Sequence, residues 1–246
     1  MTNENPLDVA TIYIQSKGRP ENVSRYDCLK GTPWTVHWVI EKQEVRAYKM
    51  YGAENIIIQD NFMQGRNLIL ALGKEGGIPF FQISDDYKGV GFAVFSEKEQ
   101  KYKTVKTTLP DAFRVMLQTL LDNPDIRQVG IAPTANVLNY QGKPVARNKF
   151  CVNCCVLYRP HDLQYDLDHT LKEDYGMSAA QIARYGGNLR CENILLQWQH
   201  WDNRGGAVDW RTPENQMKAA NALVRDYPQW IRHNSKKPGE VIFRWK

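Results

Sequence analysis

Pro79-Phe80-Phe81-Gln82-Ile83-Ser84 is a short apolar and aromatic run that ends directly on Asp85-Asp86. Its composition suits a β-strand, and the abrupt change to two carboxylates marks where that strand stops. Ahead of it, residues 64–74 have helical periodicity. Leu68, Ala71 and Leu72 are expected to face inward there, and Gly76-Gly77 to close the helix. The Ile56-Ile57-Ile58 run within Asn55–Gln59 suits a strand covered on both faces. Further back, residues 44–51 are helical in character and residues 34–40 read as a strand. Residues 26–29 read as a short helix ended by Gly31-Thr32-Pro33, and Thr11–Gln15 as the first strand. This alternation calls for an α/β fold, a mostly parallel central sheet flanked by helices. In such sheets ligands bind beyond the carboxyl ends of the strands. Ser16-Lys17-Gly18-Arg19, Glu41 and Ser84-Asp85-Asp86 all fall at those ends.

The second half is more mixed. Residues 110–121 form an amphipathic helix with Phe113, Met116, Leu117, Leu120 and Leu121 on one face. Residues 126–132, 150–158 and 163–167 read as strands. Ser178 and Gln181 have the spacing of a capping box and predict a helix running to Gly186-Gly187. Thr212-Pro213-Glu214 opens a last helix. No linker is evident, so one domain over residues 1–246 is expected, built from two halves, residues 1–105 and 106–246.

Hydrophobic residues make up 42% and charged residues 24% of the 246, as in an ordinary water-soluble globular protein. No run is apolar enough for a membrane helix, and residues 1–9 lack a basic-then-apolar signal pattern. A cytoplasmic protein with no membrane partner is therefore expected. The five cysteines are an odd number for a disulfide framework, and Cys151-x-x-Cys154 has no second pair to complete a zinc site. A reduced, structural role follows. The net charge of +5 is concentrated in acid-free clusters: Lys101, Lys103 and Lys106, residues 141–160 with Lys143, Arg147 and Lys149, and the chain from Arg225 onward is also basic. Clustered cations point to a phosphate-rich partner.

Four groups carry chemistry. Asp85 and Asp86 at a strand end suit a hard divalent cation, Mg²⁺ or Mn²⁺, shared with a diphosphate; a polar turn is the plainer account. Arg66-Asn67, on a helix just ahead of the acidic turn, can pair with phosphate or with that turn. Glu173-Asp174 can supply a general base, or merely acids placed well at a helix start. His200 and His233 are late histidines able to complete a metal site. The alternation Gln197-Trp198-Gln199-His200-Trp201, followed by Gly205-Gly206, offers aromatic faces and a close backbone approach.

Taken in order, these features resemble a known family. Ile12-Tyr13-Ile14-Gln15-Ser16-Lys17-Gly18-Arg19, then Glu41, Gly65-Arg66-Asn67, the acidic triplet, Glu173-Asp174 and Gly205-Gly206 are similar to the GT-A glycosyltransferases (a Rossmann-like fold). They are most similar to the phage-type TET/JBP-associated group. The resemblance implies a host-cytoplasmic, nucleotide-sugar-dependent enzyme. Its donor would be a uridine-diphosphate (UDP) sugar, and its acceptor the hydroxyl of a hydroxymethylated pyrimidine in DNA. It also implies roles. Ser16, Lys17, Gly18, Arg19 and Glu41 would hold the nucleotide, with Arg66, Asn67 and Asp85 at the diphosphate or sugar. Asp86, with Asp85 and a late histidine such as His200, would bind the metal. Glu173 or Asp174 would serve the acceptor, Asp174 as base if the enzyme inverts. Lys143, Arg147 and Lys149 would contact DNA. One departure is Ser84, where the family usually has a third acid. Another acceptor (glycan, lipid or protein), a non-catalytic nucleic-acid-binding role on the same fold, and nucleotidyl transfer are the competing expectations.

Overall fold

A computed structural model describes residues 5–198 and 211–244. The chain runs through β1 (Thr11–Gln15), β2 (Thr35–Glu41), α1 (Val45–Met50), β3 (Asn55–Gln59), α2 (Phe62–Gly76), β4 (Phe80–Ser84), β5 (Tyr87–Ser96), β6 (Lys101–Thr107) and α3 (Leu109–Leu121). It continues through β7 (Gln128–Ile131), β8 (Val145–Arg147), β9 (Cys155–Tyr158), α4 (Glu173–Tyr185), β10 (Leu189–Cys191), β11 (Ile194–Trp198), α5 (Pro213–Asp226), β12 (Ile231–His233) and β13 (Val241–Phe243). Among the described residues no helix is long and apolar enough to cross a membrane.

An eight-stranded sheet in the order β3-β2-β1-β4-β9-β7-β10-β8 forms the centre. β3, β2, β1 and β4 are mutually parallel. β9 is antiparallel to both β4 and β7, β10 is parallel to β7, and β8 is antiparallel to β10. The sheet is therefore mostly parallel, as expected of an α/β fold. The strand order reverses at β1, because β2 and β3 lie on one side of it and β4 on the other. A crevice at the carboxyl ends of β1 and β4 is the favoured ligand position in such a sheet.

Strand alternation sorts the core into two layers. Ile12, Ile14, Phe81, Ile83 and Leu157 point to the side covered by α3, with Phe113 stacked on Phe81 at 4.1 Å. Tyr13, Phe80, Val156 and Tyr158 point to the side covered by α2, joined there by Met177 of α4. A separate cluster joins Ala179 and Ile182 of α4 to Ala220 and Leu223 of α5 and to the β12–β13 hairpin.

Several expectations are corrected. β3 is an edge strand covered only in part: Ile56 packs against one core layer and Ile57 against the other, but Ile58 is 49% exposed. The buried face of α2 is Met63, Arg66, Ile69, Leu70 and Gly73; of the three residues expected inward, Leu72 packs half-buried against the core, Leu68 is half-buried and Ala71 is exposed. The reason is a close approach: a Cβ on Gly73 would sit 2.3 Å from the Phe80 ring. Gly73→Ala should therefore lower stability by about 1–2 kcal/mol in urea melts, against the gain that Gly→Ala usually gives within a helix. Residues 163–167 do not form a strand; they lead into a short 3₁₀ turn, Leu167–His169. Only Cys155–Tyr158 of residues 150–158 is strand. Ser178 caps nothing. The helix begins five residues earlier, and the buried Ser178 hydroxyl accepts the Cys151 N–H at 3.0 Å. A second, antiparallel sheet, β11-β5-β6, was not foreseen. Lys101 and Lys103, read as a cluster without acids, both pair with Glu99. All five cysteines are free, and only Cys28 is exposed.

Candidate active site

The parallel register brings the ends of β1 and β4 side by side, with Gln15 opposite Ser84. Ser16 and Asp85, one residue further on, consequently touch. The Ser16 hydroxyl donates to Asp85 Oδ2 and also bonds the Tyr48 hydroxyl. Arg19 closes over the same carboxylate through Nε at 2.9 Å and through Nη2. Asp85 is fully buried, and burial pushes its carboxyl up to about 6 despite the opposing pull of Arg19 and Ser16. Tyr48 is buried too, its phenol pushed up to about 12 chiefly by burial, and it also accepts the Arg19 N–H at 3.3 Å. At the end of β2, Glu41 binds Lys17 at 2.7 Å. Gly18 stands at φ +73°, where a side chain would be strained, and its N–H donates to Glu44.

The amide of Gln15, the last residue of β1, donates to Gln59 Oε1 at 2.7 Å and to the Phe62 carbonyl at 2.6 Å. These bonds draw the start of α2 against the strand ends. Gly65 makes the approach possible, since a Cβ there would lie 1.7 Å from Gln59 Oε1. Arg66 follows, buried, with Nη2 3.0 Å from Glu173 Oε1 and its guanidinium 4.7 Å from the Phe62 ring centroid. Asn67 is fully used within the protein. Its Oδ1 accepts the Tyr165 N–H at 2.7 Å and its Nδ2 donates to the Tyr165 carbonyl at 3.0 Å.

Glu173 and Asp174 form the first turn of α4. The turn before them is anchored by Lys172, whose buried Nζ lies 3.2 Å from Glu240. Asp174 accepts the N–H of Tyr175 at 2.9 Å. Burial, reinforced by the Glu173 carboxylate and opposed by Arg66, raises its carboxyl to about 7. The thiol of buried Cys154 is pushed up first by burial and then by Cys155, Asp86 and Asp174. The Cys154 carbonyl, just ahead of β9, accepts the Ser84 N–H at 3.0 Å, which ties this point to the end of β4. The end of β4 thus carries the half-buried Asp86, and α4 begins with a carboxyl raised toward neutrality beside a buried ion pair.

The structure brings together Ser16, Arg19, Asp85 and Asp86, and separately Arg66, Glu173 and Asp174. It does not bring Arg147 and Lys149 to them. β8 lies four strands from β4, about 19 Å at the usual spacing. Its pairing Arg147↔Leu189 places Arg147 at the opposite end of the strands, where it pairs with Asp125 at 2.7 Å. Lys143 precedes Val145, which pairs with Cys191 at the site end. His233 lies on β12, exposed. His200, Gly205 and Gly206 lie outside the described residues. Sequence reading missed Tyr48, Cys154 and Tyr165. Gln15 and Gln59 had a signal, since both close apolar strands with an amide.

A family model described as TET-Associated Glycosyltransferase matches residues 10–201. No curated protein matches the chain. Among solved structures, CMP:2-keto-3-deoxy-manno-octonic acid synthetase complexed with CTP is similar at 12% identity, covering 74% of this chain and 89% of that one, with a TM-score of 0.43.

Proposed function

The chain belongs to the TET-associated glycosyltransferase family, and from that premise we propose that it moves a sugar from a UDP-sugar to the hydroxyl of a 5-hydroxymethylpyrimidine in DNA. What supports this reading is the bonding of Ser16 and Arg19 to Asp85, next to Asp86 at the end of β4, together with the buried Arg66–Glu173 pair beside Asp174. On this reading residues 1–105 hold the donor and residues 106–246 the acceptor side of one domain.

Asp86 fits a divalent cation, being a half-buried hard oxygen donor at the end of β4. Asp85 fits less well, because Arg19 and Ser16 already occupy its carboxylate. Mg²⁺ or Mn²⁺ held there, together with the donor's phosphates, would neutralise the charge that the departing diphosphate acquires. The turn Ser16-Lys17-Gly18-Arg19 and Glu41 border the nucleotide. Asn67 acts indirectly, by fixing the backbone of Tyr165 beside Arg66. Asp174 takes the proton from the acceptor hydroxyl as that oxygen bonds to the anomeric carbon. The bond from that carbon to the diphosphate breaks with its electron pair leaving on UDP. Lys143, at the site end, is the cation best placed of the three basic candidates to meet a DNA phosphate.

Incubation with hydroxymethylated DNA and a panel of nucleotide-sugars, followed by mass measurement of the digested nucleosides, tests the reading. One donor is expected to add a sugar mass, and Asp86→Ala to abolish the product while retaining DNA binding. Unmodified nucleosides with every donor, alongside transfer to a glycan, lipid or protein, would reject DNA as the acceptor.

A further inference from the structure

We infer that Asp166, His169 and Asp226 form a separate cation site, made for a transition dication of the Zn²⁺ or Mn²⁺ class. One ligand atom from each residue lies within 4.8 Å of the others. Metal–ligand bonds of about 2.0–2.2 Å span such a set after a small contraction. The site joins the 3₁₀ turn Leu167–His169, just before α4, to the end of α5. His169 is buried and its ring is clamped on one side. A Cβ on Gly176 would come within 2.5 Å of its Nδ1. The other nitrogen, Nε2, is aimed at the carboxylates and lies 2.9 Å from Asp226 Oδ2. Asp166 is exposed and gives an ion a path in.

The donor set decides the class of ion. Mg²⁺ and Ca²⁺ favour all-oxygen surroundings, whereas one imidazole nitrogen with two carboxylates suits Zn²⁺ or Mn²⁺. The local charge agrees. Asp166, Asp168 and Asp226 all act on Arg225, whose guanidinium donates to the Asp226 carboxylate. The phenol of Tyr227 is pushed up by burial and then by Asp166 and Asp226. Arg225 is largely exposed and can swing off Asp226 when an ion enters. Asp166 Oδ1 already accepts the Asp168 N–H at 2.8 Å, which orients the carboxylate. Like the Lys172–Glu240 pair, the ion would tie the C-terminal segment to the turn that launches Glu173 and Asp174.

Without a metal, His169, Asp226 and Arg225 are an ordinary hydrogen-bonded chain, on which Asp166 acts as a nearby charge. Asp166→Asn therefore separates the two accounts. The measurement is equilibrium dialysis against Zn²⁺, with bound metal read by mass spectrometry, in an Asp86→Ala background so that the site proposed for the donor does not contribute. One Zn²⁺ per chain is expected, with affinity lowered about tenfold or more by Asp166→Asn and by His169→Gln. Circular-dichroism melts establish that each variant is folded. Absence of uptake, or uptake unchanged in folded Asp166→Asn, overturns the site whatever the sugar assay reports.

Discussion

Asp174→Asn is expected to reduce the turnover number for sugar transfer by about 10²- to 10⁴-fold, the range that a positioned general base contributes. KM for the donor should change far less, because the amide keeps the shape of the side chain and the donor is proposed to bind on the Asp86 side. The expectation rests on position and on protonation together. Asp174 opens α4 beside the Arg66–Glu173 pair, and its carboxyl is raised to about 7 by burial and by Glu173. A base with that value is about half ionised at neutral pH and can still take a proton. The parent rate should accordingly climb as pH rises through about 7, and Asp174→Asn should lose that limb. A pH–rate profile of both proteins, with a single-turnover measurement of the chemical step, checks this. An undiminished rate in the variant would remove Asp174 from the reaction.

The same group affects stability with a definite sign. Its folded value lies above the ordinary carboxylate value, so the folded state binds more protons than the unfolded one between about pH 4 and 7. The contribution is fully present below the unfolded value and is lost as pH rises through about 7. Asp85, raised to about 6, acts in the same direction over a slightly lower window. Both carboxylates therefore weaken the fold as they ionise.

Arg66→Met should destabilise the protein by about 3–5 kcal/mol, the usual consequence of removing one partner of a buried ion pair. The guanidinium lies 4.7 Å from the Phe62 ring centroid and 5.6 Å from that of Tyr165, and it pairs with Glu173. Methionine replaces much of the volume but leaves two neighbouring carboxylates at the start of α4 without it. The repulsion grows as Asp174 ionises, so the deficit in urea melts should be larger at pH 8 than at pH 5. Arg66 also holds Asp174 down, against burial and Glu173. Its loss should therefore move the rising limb of any residual activity above pH 7. A deficit independent of pH would mean that packing rather than charge dominates at this position.

The parallel half of the fold was legible because each strand and helix there carries its own local pattern, and the connections between them are short. The candidate residues at the strand ends followed from that order alone. What escaped notice was set by distant partners. Ser178-x-x-Gln181 has the form of a helix start, yet the Ser178 hydroxyl is turned to Cys151 and the helix begins at Glu173, after Leu171 at φ +78°. The β5–β6 hairpin is completed by β11, which pairs Ile194 with Phe92, and nothing near Phe92 announces that strand. The Arg66–Glu173 contact likewise joins residues more than a hundred positions apart. The alternation of lysines in residues 101–106 did show in the sequence, but Glu99 reaches back to neutralise two of them.

The position of β9 in the sheet bears on how the chain is made. β4 is complete at Ser84, but its other neighbour, β9, begins only at Cys155, about seventy residues later. A ribosome adding about 5–20 residues per second needs some 4–14 s to cover that distance. Throughout that interval β4 has one row of backbone groups with no strand beside it, and Phe80 still lacks Tyr158. The nascent half-sheet is then open to pairing with another chain, and this is the stage of synthesis at which a chaperone would matter most.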